Sequence, residues 1–213
     1  PVPEGAELAK PTFNPRLGIV GGISILGTSG IVKPFSSEAF VNSIRKEMGV
    51  AIASGTPAVV INSGAKSERF LRAYFPELSA QAFVQYGNFI GETIQEAAEA
   101  GAADLRFGIM LGKAVKLAEG HLDTHSHKVV FNRDYLTRLA TEAGCSPAAI
   151  SLIGRMTLAR ELWEGLSADD SGRFFTRLLD DCLAVCAPLF PGKLTILLID
   201  DAGSVRYQVD HQR

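Results

Sequence analysis

The chain has 213 residues, 46% hydrophobic and 21% charged, with a formal net charge of −2 and a sequence pI near 6.1. Such a chain can bury a sizeable core, while its near-neutral charge gives no electrostatic case for nucleic acid or an anionic membrane surface. No apolar run approaches the roughly 18–20 residues of a membrane span and no signal peptide opens the sequence, so the expected location is cytoplasmic. Three cysteines agree with this: Cys145 is isolated, and Cys182 and Cys186 at helical spacing read as buried free thiols.

In chain order, residues 1–16 form a linker-like, extended segment punctuated by Pro1, Pro3, Pro11 and Pro15, without a hydrophobic pattern. A chain opening in a linker is expected to lack a domain on its N-terminal side. Short apolar runs bounded by breakers predict strands at 17–21, 58–62, 82–86, 105–110 and 194–200. Between them lie helical patterns. Ser36 or Ser37 caps one whose stripe is Phe40, Ile44, Met48 and Ala51. Others run from Glu68 to a stop at Pro76, along Ile90, Ile94, Ala97 and Ala98 to Gly101, and from Gly112 to Ala118. The stretch 133–190 reads as all helical, with segments at 134–143, 147–153, 157–166 and 169–189.

Alternating strands and helices predict an α/β fold: a three-layer, Rossmann-like, mostly parallel sheet with helices on both faces and an added helical segment. Residues 17–210 make the domain, and 133–190 the helical insertion. Ligands of such sheets collect beyond the carboxyl ends of the strands. Four glycine-rich, polar loops follow the first four predicted strands: Gly21 to Gly30, Asn62-Ser63-Gly64, Gly87 to Gly91, and Gly112-Lys113. They predict one binding rim.

The first loop is neither of the familiar phosphate loops. From Gly22 to Ser29 the P-loop spacing is present, but Thr28 stands where the lysine belongs, and no G-x-G triplet occurs. Two readings remain: a ligand without a polyphosphate, held by backbone N–H groups and the Ser24, Thr28 and Ser29 hydroxyls, or a tight turn without a ligand. Glu68 is either an acceptor for ribose hydroxyls or an ordinary helix carboxylate, and Phe89 either stacks on a base or packs in the core. His121, Asp123, His125 and His127 alternate as some metal ligands do, but no carboxylate-rich motif completes a site, and no metal is expected.

The run Thr12-x-Asn14-Pro15-Arg16-Leu17-Gly18-Ile19-x-Gly21-Gly22-Ile23-Ser24-Ile25-Leu26-Gly27-Thr28-x-Gly30-Ile31-Val32 resembles the cobalt-precorrin-5B (C1)-methyltransferases of the oxygen-independent cobalamin pathway. Asn88-Phe89-Ile90-Gly91, then Gly112-Lys113-x-x-Lys116-Leu117-Ala118-x-Gly120, then Thr124-His125-Ser126 extend the resemblance in family order. It departs at Ser67, where a glycine is expected, and only partly holds at Phe131-Asn132-Arg133. The family carries an additional N-terminal domain, which this chain is expected to lack.

The resemblance implies methyl transfer from S-adenosylmethionine to ring carbon C1 of a cobalt-containing tetrapyrrole. For the cofactor it implies Gly21, Gly22, Ser24, Gly27, Thr28, Ser29, Gly30, Ser63, Gly64, Glu68, Asn88, Phe89 and Gly91. For the substrate it implies Lys113, Lys116, Thr124 and Ser126, the lysines suiting acetate and propionate side chains. His125 is the candidate general base. The other readings are a non-catalytic corrinoid- or nucleoside-binding fragment needing a partner domain, and an unrelated nucleotide-dependent Rossmann-like enzyme. Self-association is a further expectation, from apolar surface on an incomplete domain.

Overall fold

The computed structural model describes residues 3–12, 18, 20–22, 36–125 and 132–211. Helix α1 (Gly5–Ala9) is a short turn in the opening segment expected to be extended. Helix α2 (Ser37–Ala53) starts where the serine pair predicts it, with the Ser36 hydroxyl accepting the Ala39 N–H at 3.2 Å. Its residues Ile44, Met48 and Ala51 are fully buried.

Then follow β1 (Val59–Asn62), α3 (Ala65–Tyr74), β2 (Phe83–Gln85), α4 (Ile90–Glu99), β3 (Asp104–Met110) and α5 (Leu111–Ala118). Four further helices come next: α6 (Arg133–Glu142), α7 (Pro147–Arg155), α8 (Glu161–Gly165) and α9 (Ala168–Cys186). Strands β4 (Lys193–Ile199) and β5 (Val205–His211) close the order.

The sheet order is β2-β1-β3-β4-β5, with the first four strands parallel and β5 antiparallel to β4. Strands buried on both faces need near-continuous apolar sequence, as β1 and β4 have. Alternate residues of each strand enter two cores. On one face Val59, Ile61, Phe107, Ile109, Ile196 and Leu198 pack with buried residues of α2, α4, α5 and α9. On the other, Val60, Phe83, Leu197 and Ile199 pack with Leu71 of α3. Gly108 of β3 admits this helix: a Cβ there would lie 2.3 Å from Leu71 Cδ1.

Helix α9 joins the insert to the sheet, packing on α5, β4 and β5. The Tyr135 hydroxyl of α6 ties the helices together, donating to the Ala118 carbonyl at 2.8 Å and meeting Asp181 Oδ2 at 2.9 Å. All three cysteines are buried and free. Among the described residues no helix is long and apolar enough to cross a membrane.

The strand predicted at 17–21 does not form at its described positions. Gly18 and Gly21 take φ of 72° and 83°, which breaks an extended run, and Val20 is 88% exposed. The sheet instead gains β5, which the sequence reading left out although Val205, Tyr207 and Val209 alternate with polar residues. Helix α3 begins a turn before Glu68, and α8 is shorter than the predicted 157–166.

Candidate functional site

The chain leaves β1 through α3 toward one side of the sheet, and leaves β3 toward the other. A crevice opens at such a reversal, outside the carboxyl ends of the two strands, where open α/β sheets bind ligands. At this point stands Asn62, fully buried, whose side chain donates to the Val84 carbonyl at 3.2 Å and accepts the Gly64 N–H at 3.1 Å. Gly64 follows with φ 151°, a conformation that favours glycine. Ser67 receives the Ser63 N–H at 3.1 Å, shares a hydrogen bond with the Ser63 hydroxyl at 2.9 Å and donates to the Gly64 carbonyl at 3.0 Å.

Tyr86, just beyond β2, is fully buried and donates its hydroxyl to the Gly108 carbonyl at 3.4 Å, beside Ser63. Burial pushes its phenol well above the ordinary value. Over its ring, 5.9 Å from the centroid, lies the Lys113 ammonium of α5. Lys113 donates to Asn88 Oδ1 and, at 3.0 Å, to the Thr124 hydroxyl. Lys116, one turn on, donates to the Thr124 carbonyl at 3.3 Å. Burial, with the like charge of Lys116, pushes Lys113 down to about 8 against a smaller opposing pull from Asp123.

The segment carrying Thr124 is laid against the start of α4. A bridge joins Phe89 to Asp123, Ile90 and Gly91 donate to the Leu122 carbonyl at 3.0 and 3.3 Å, and Thr124 donates to the Asn88 carbonyl at 3.1 Å. Gly91 is small for this contact, since a Cβ would sit 3.1 Å from Leu122 Cβ. The next residue, His125, is exposed and donates its N–H to Asp123 Oδ1 at 3.1 Å.

The structure therefore gathers Ser63, Gly64, Asn88, Lys113, Lys116 and Thr124 along one rim, with His125 at its outer end. It places others elsewhere. Glu68 bonds Arg72 at 2.7 Å and Gln85 at 2.8 Å, on the α3 side. Phe89 packs 5.5 Å from Phe40, as a core residue does. Thr124, though on the rim, is only 2% exposed and anchors the lysines. Gly21 and Gly22 have nothing within 4 Å of a built Cβ. Ser24, Gly27, Thr28, Ser29, Gly30 and Ser126 lie outside the described residues.

Sequence reading missed two members. Tyr86 was legible as the one bulky polar residue at the head of a glycine-asparagine loop, and Ser67, noted only as a departure, holds the β1 turn. Among the described residues no three His, Cys, Asp or Glu side chains converge on a metal position.

The family model described as CbiD matches residues 1–34, and that described as CbiD, C-terminal domain, matches 123–210. A cobalt-precorrin-5B C(1)-methyltransferase of Geobacillus sp. is 37% identical over 92% of this chain and 53% of its own length. The enzyme of that name from Thermus thermophilus is 40% identical over 84% of this chain and 49% of its own. One from Prosthecochloris aestuarii is 38% identical over 93% and 54%. The chain thus spans about half the length of the curated relatives it matches. No solved structure matches it at a comparable level.

Proposed function

This chain belongs to the CbiD family, and from that premise we propose that it serves a cobalt-precorrin-5B C(1)-methyltransferase, moving a methyl group from S-adenosylmethionine to C1 of a cobalt-containing tetrapyrrole in cobalamin biosynthesis. The observation that carries this reading is the polar rim at the carboxyl ends of β1 and β3, in a chain 37–40% identical to relatives of that name. Residues 17–210 act as the cofactor-binding unit, with 133–190 inserted as helical support, in a cytoplasmic enzyme.

The donor set suits this cofactor. Serine hydroxyls, a carboxamide and ammonium groups, with no P-loop lysine in the glycine segment, fit a nucleoside with an amino-acid end and no polyphosphate. S-adenosylmethionine supplies an activated methyl group; the protein's part is binding, alignment and electrostatics. Ser63, Gly64 and Asn88 on the rim, with the glycine segment Gly21 to Gly30, hold the donor. Lys113 and Lys116, positioned by Thr124, bind the tetrapyrrole substrate, with Ser126 as a further contact. His125, exposed at the rim's outer end, takes a proton from it.

The test is calorimetric titration of this chain with S-adenosylhomocysteine, followed by turnover with cobalt-precorrin-5B and S-adenosylmethionine. Saturable one-site binding and a product heavier by one methylene are expected. Tight binding of NAD or ATP, with none of S-adenosylhomocysteine, would overturn the reading.

A further inference from the structure

Lys113 and Lys116 are held in an unusual balance. Both ammonium groups are drawn to one residue, Thr124, and every partner they have is uncharged: a carboxamide oxygen, a hydroxyl and a carbonyl. Among the described residues no carboxylate lies within ion-pair distance of either. Other cations of the chain do have carboxylate partners, for example Arg45 with Glu96, Arg72 with Glu68 and Arg177 with Asp181. Two like charges brought together repel, half-burying Lys113 adds a desolvation cost, and the pull of Asp123 offsets these only in part. Asn88 and the Thr124 hydroxyl leave the third Lys113 proton uncommitted.

The geometry points to a receptor for a single carboxylate, in which Lys113 and Lys116 close on the ligand together while Asn88, Thr124 and Tyr86 hold them in place. This inference rests on the reading above and specifies the ligand group that the rim takes. That carboxylate has two chemical sources there: the amino-acid end of the methyl donor, or a peripheral acetate or propionate of the tetrapyrrole. Thr124 is a positioning residue in this arrangement, because its hydroxyl and carbonyl set the two ammonium groups side by side.

A carboxylate entering the site also changes the proton count. The charged and titratable groups around Lys113 are Lys116 on its own helix, Asp123 on the facing segment and Tyr86 beneath it. With the folded value near 8, about half of Lys113 is neutral at that pH, and a bound anion restores its charge. Binding at pH 8 therefore takes up about half a proton, and much less near neutrality.

The experiment is a calorimetric titration of the chain and its Lys113→Met, Lys113→Arg and Lys116→Met variants. Four probes are used: S-adenosylhomocysteine, 5′-methylthioadenosine (which lacks the amino-acid end), uroporphyrin III and its fully esterified form. Each is run at pH 8 in two buffers of different ionisation enthalpy. If the donor supplies the carboxylate, Lys113→Met weakens S-adenosylhomocysteine by about tenfold to a hundredfold and leaves methylthioadenosine unchanged. If the tetrapyrrole supplies it, the same loss falls on uroporphyrin and spares the ester. In either case Lys116→Met weakens the same probe, and Lys113→Arg keeps most of the affinity but abolishes the proton uptake. Circular dichroism of each variant confirms folding. Binding of either acid by the wild-type chain with no loss in Lys113→Met overturns the receptor and leaves the methyltransferase reading standing. No binding of any probe by the folded wild-type chain overturns both.

Discussion

Asp170 shows how much one side chain can organise. Its carboxylate accepts the Ser146 N–H at 2.7 Å, the Ser146 hydroxyl at 2.8 Å and the Ser167 hydroxyl at 2.8 Å. Ser146 and Ser167 are the N-caps of α7 and α9, so one anion serves two helix starts. These hydrogen bonds, the Ser146 backbone donor first, hold the Asp170 carboxyl below its usual range. A carboxyl lowered by folding adds stability above its unfolded value, and that stability is lost as pH falls through the folded value. The Asp170→Asn variant should be less stable than wild type at neutral pH and lose less on acidification, which urea unfolding at a series of pH values will show. Equal acid sensitivity in the two proteins would refute the role. The rim has the same character, and its legibility differs by residue. The spacing of Lys113 and Lys116 on one helix face was readable, and so was a carboxylate after the second strand. That Arg72 and Gln85 occupy Glu68 was not foreseen, although Arg72 stands one helical turn along.

On its face of the sheet α3 contributes the buried Leu71, and its seat is a matched pair, Leu71 over Gly108. Gly108→Ala should cost about 1–3 kcal/mol through overpacking, and Leu71→Ala about 2–5 kcal/mol through the void it leaves. Combined, they should cost clearly less than the sum, because the alanine methyl fills space the leucine vacates. Strict additivity in denaturant melts would show that the two do not share a contact. Strands β1 and β4 were legible because burial on both faces demands near-continuous apolar sequence, and β2 and β3 as short apolar runs between breakers. The predicted strand at 17–21 has that composition too, but Gly18 and Gly21 can adopt positive φ, and composition does not reveal whether they do. Strand β5 carries the weaker alternating signal of an edge strand with one wet face, which is easily passed over beside a run such as β4.

At the scale of the whole molecule, β1, β3 and β4 lie inside the sheet, paired on both sides, with β3 and β4 sharing the longest register, while β2 and β5 are its edges. Amide hydrogen exchange should be slowest in residues 105–109 and 194–198 and markedly faster in β5; uniform protection across the five strands would contradict this order. The α/β class could be read from element order alone, and so could the polar loops that end β1, β2 and β3, though not the absence of a strand at the described positions up to Gly21. The partnership of Asn88 with Thr124 could not, because it depends on two loops meeting through the Phe89–Asp123 bridge. The order of elements also carries a consequence for synthesis on the ribosome. Every rim residue, from Ser63 to His125, is translated before α9, β4 and β5. A nascent chain that has emerged to that point holds the rim residues of the proposed site, yet β3 is still an edge strand and α5 lacks the helix that packs on it. Capture of a ligand must then wait for the final helix and strands, so a ribosome stalled before residue 193 presents the recognition residues without the platform that gives them affinity.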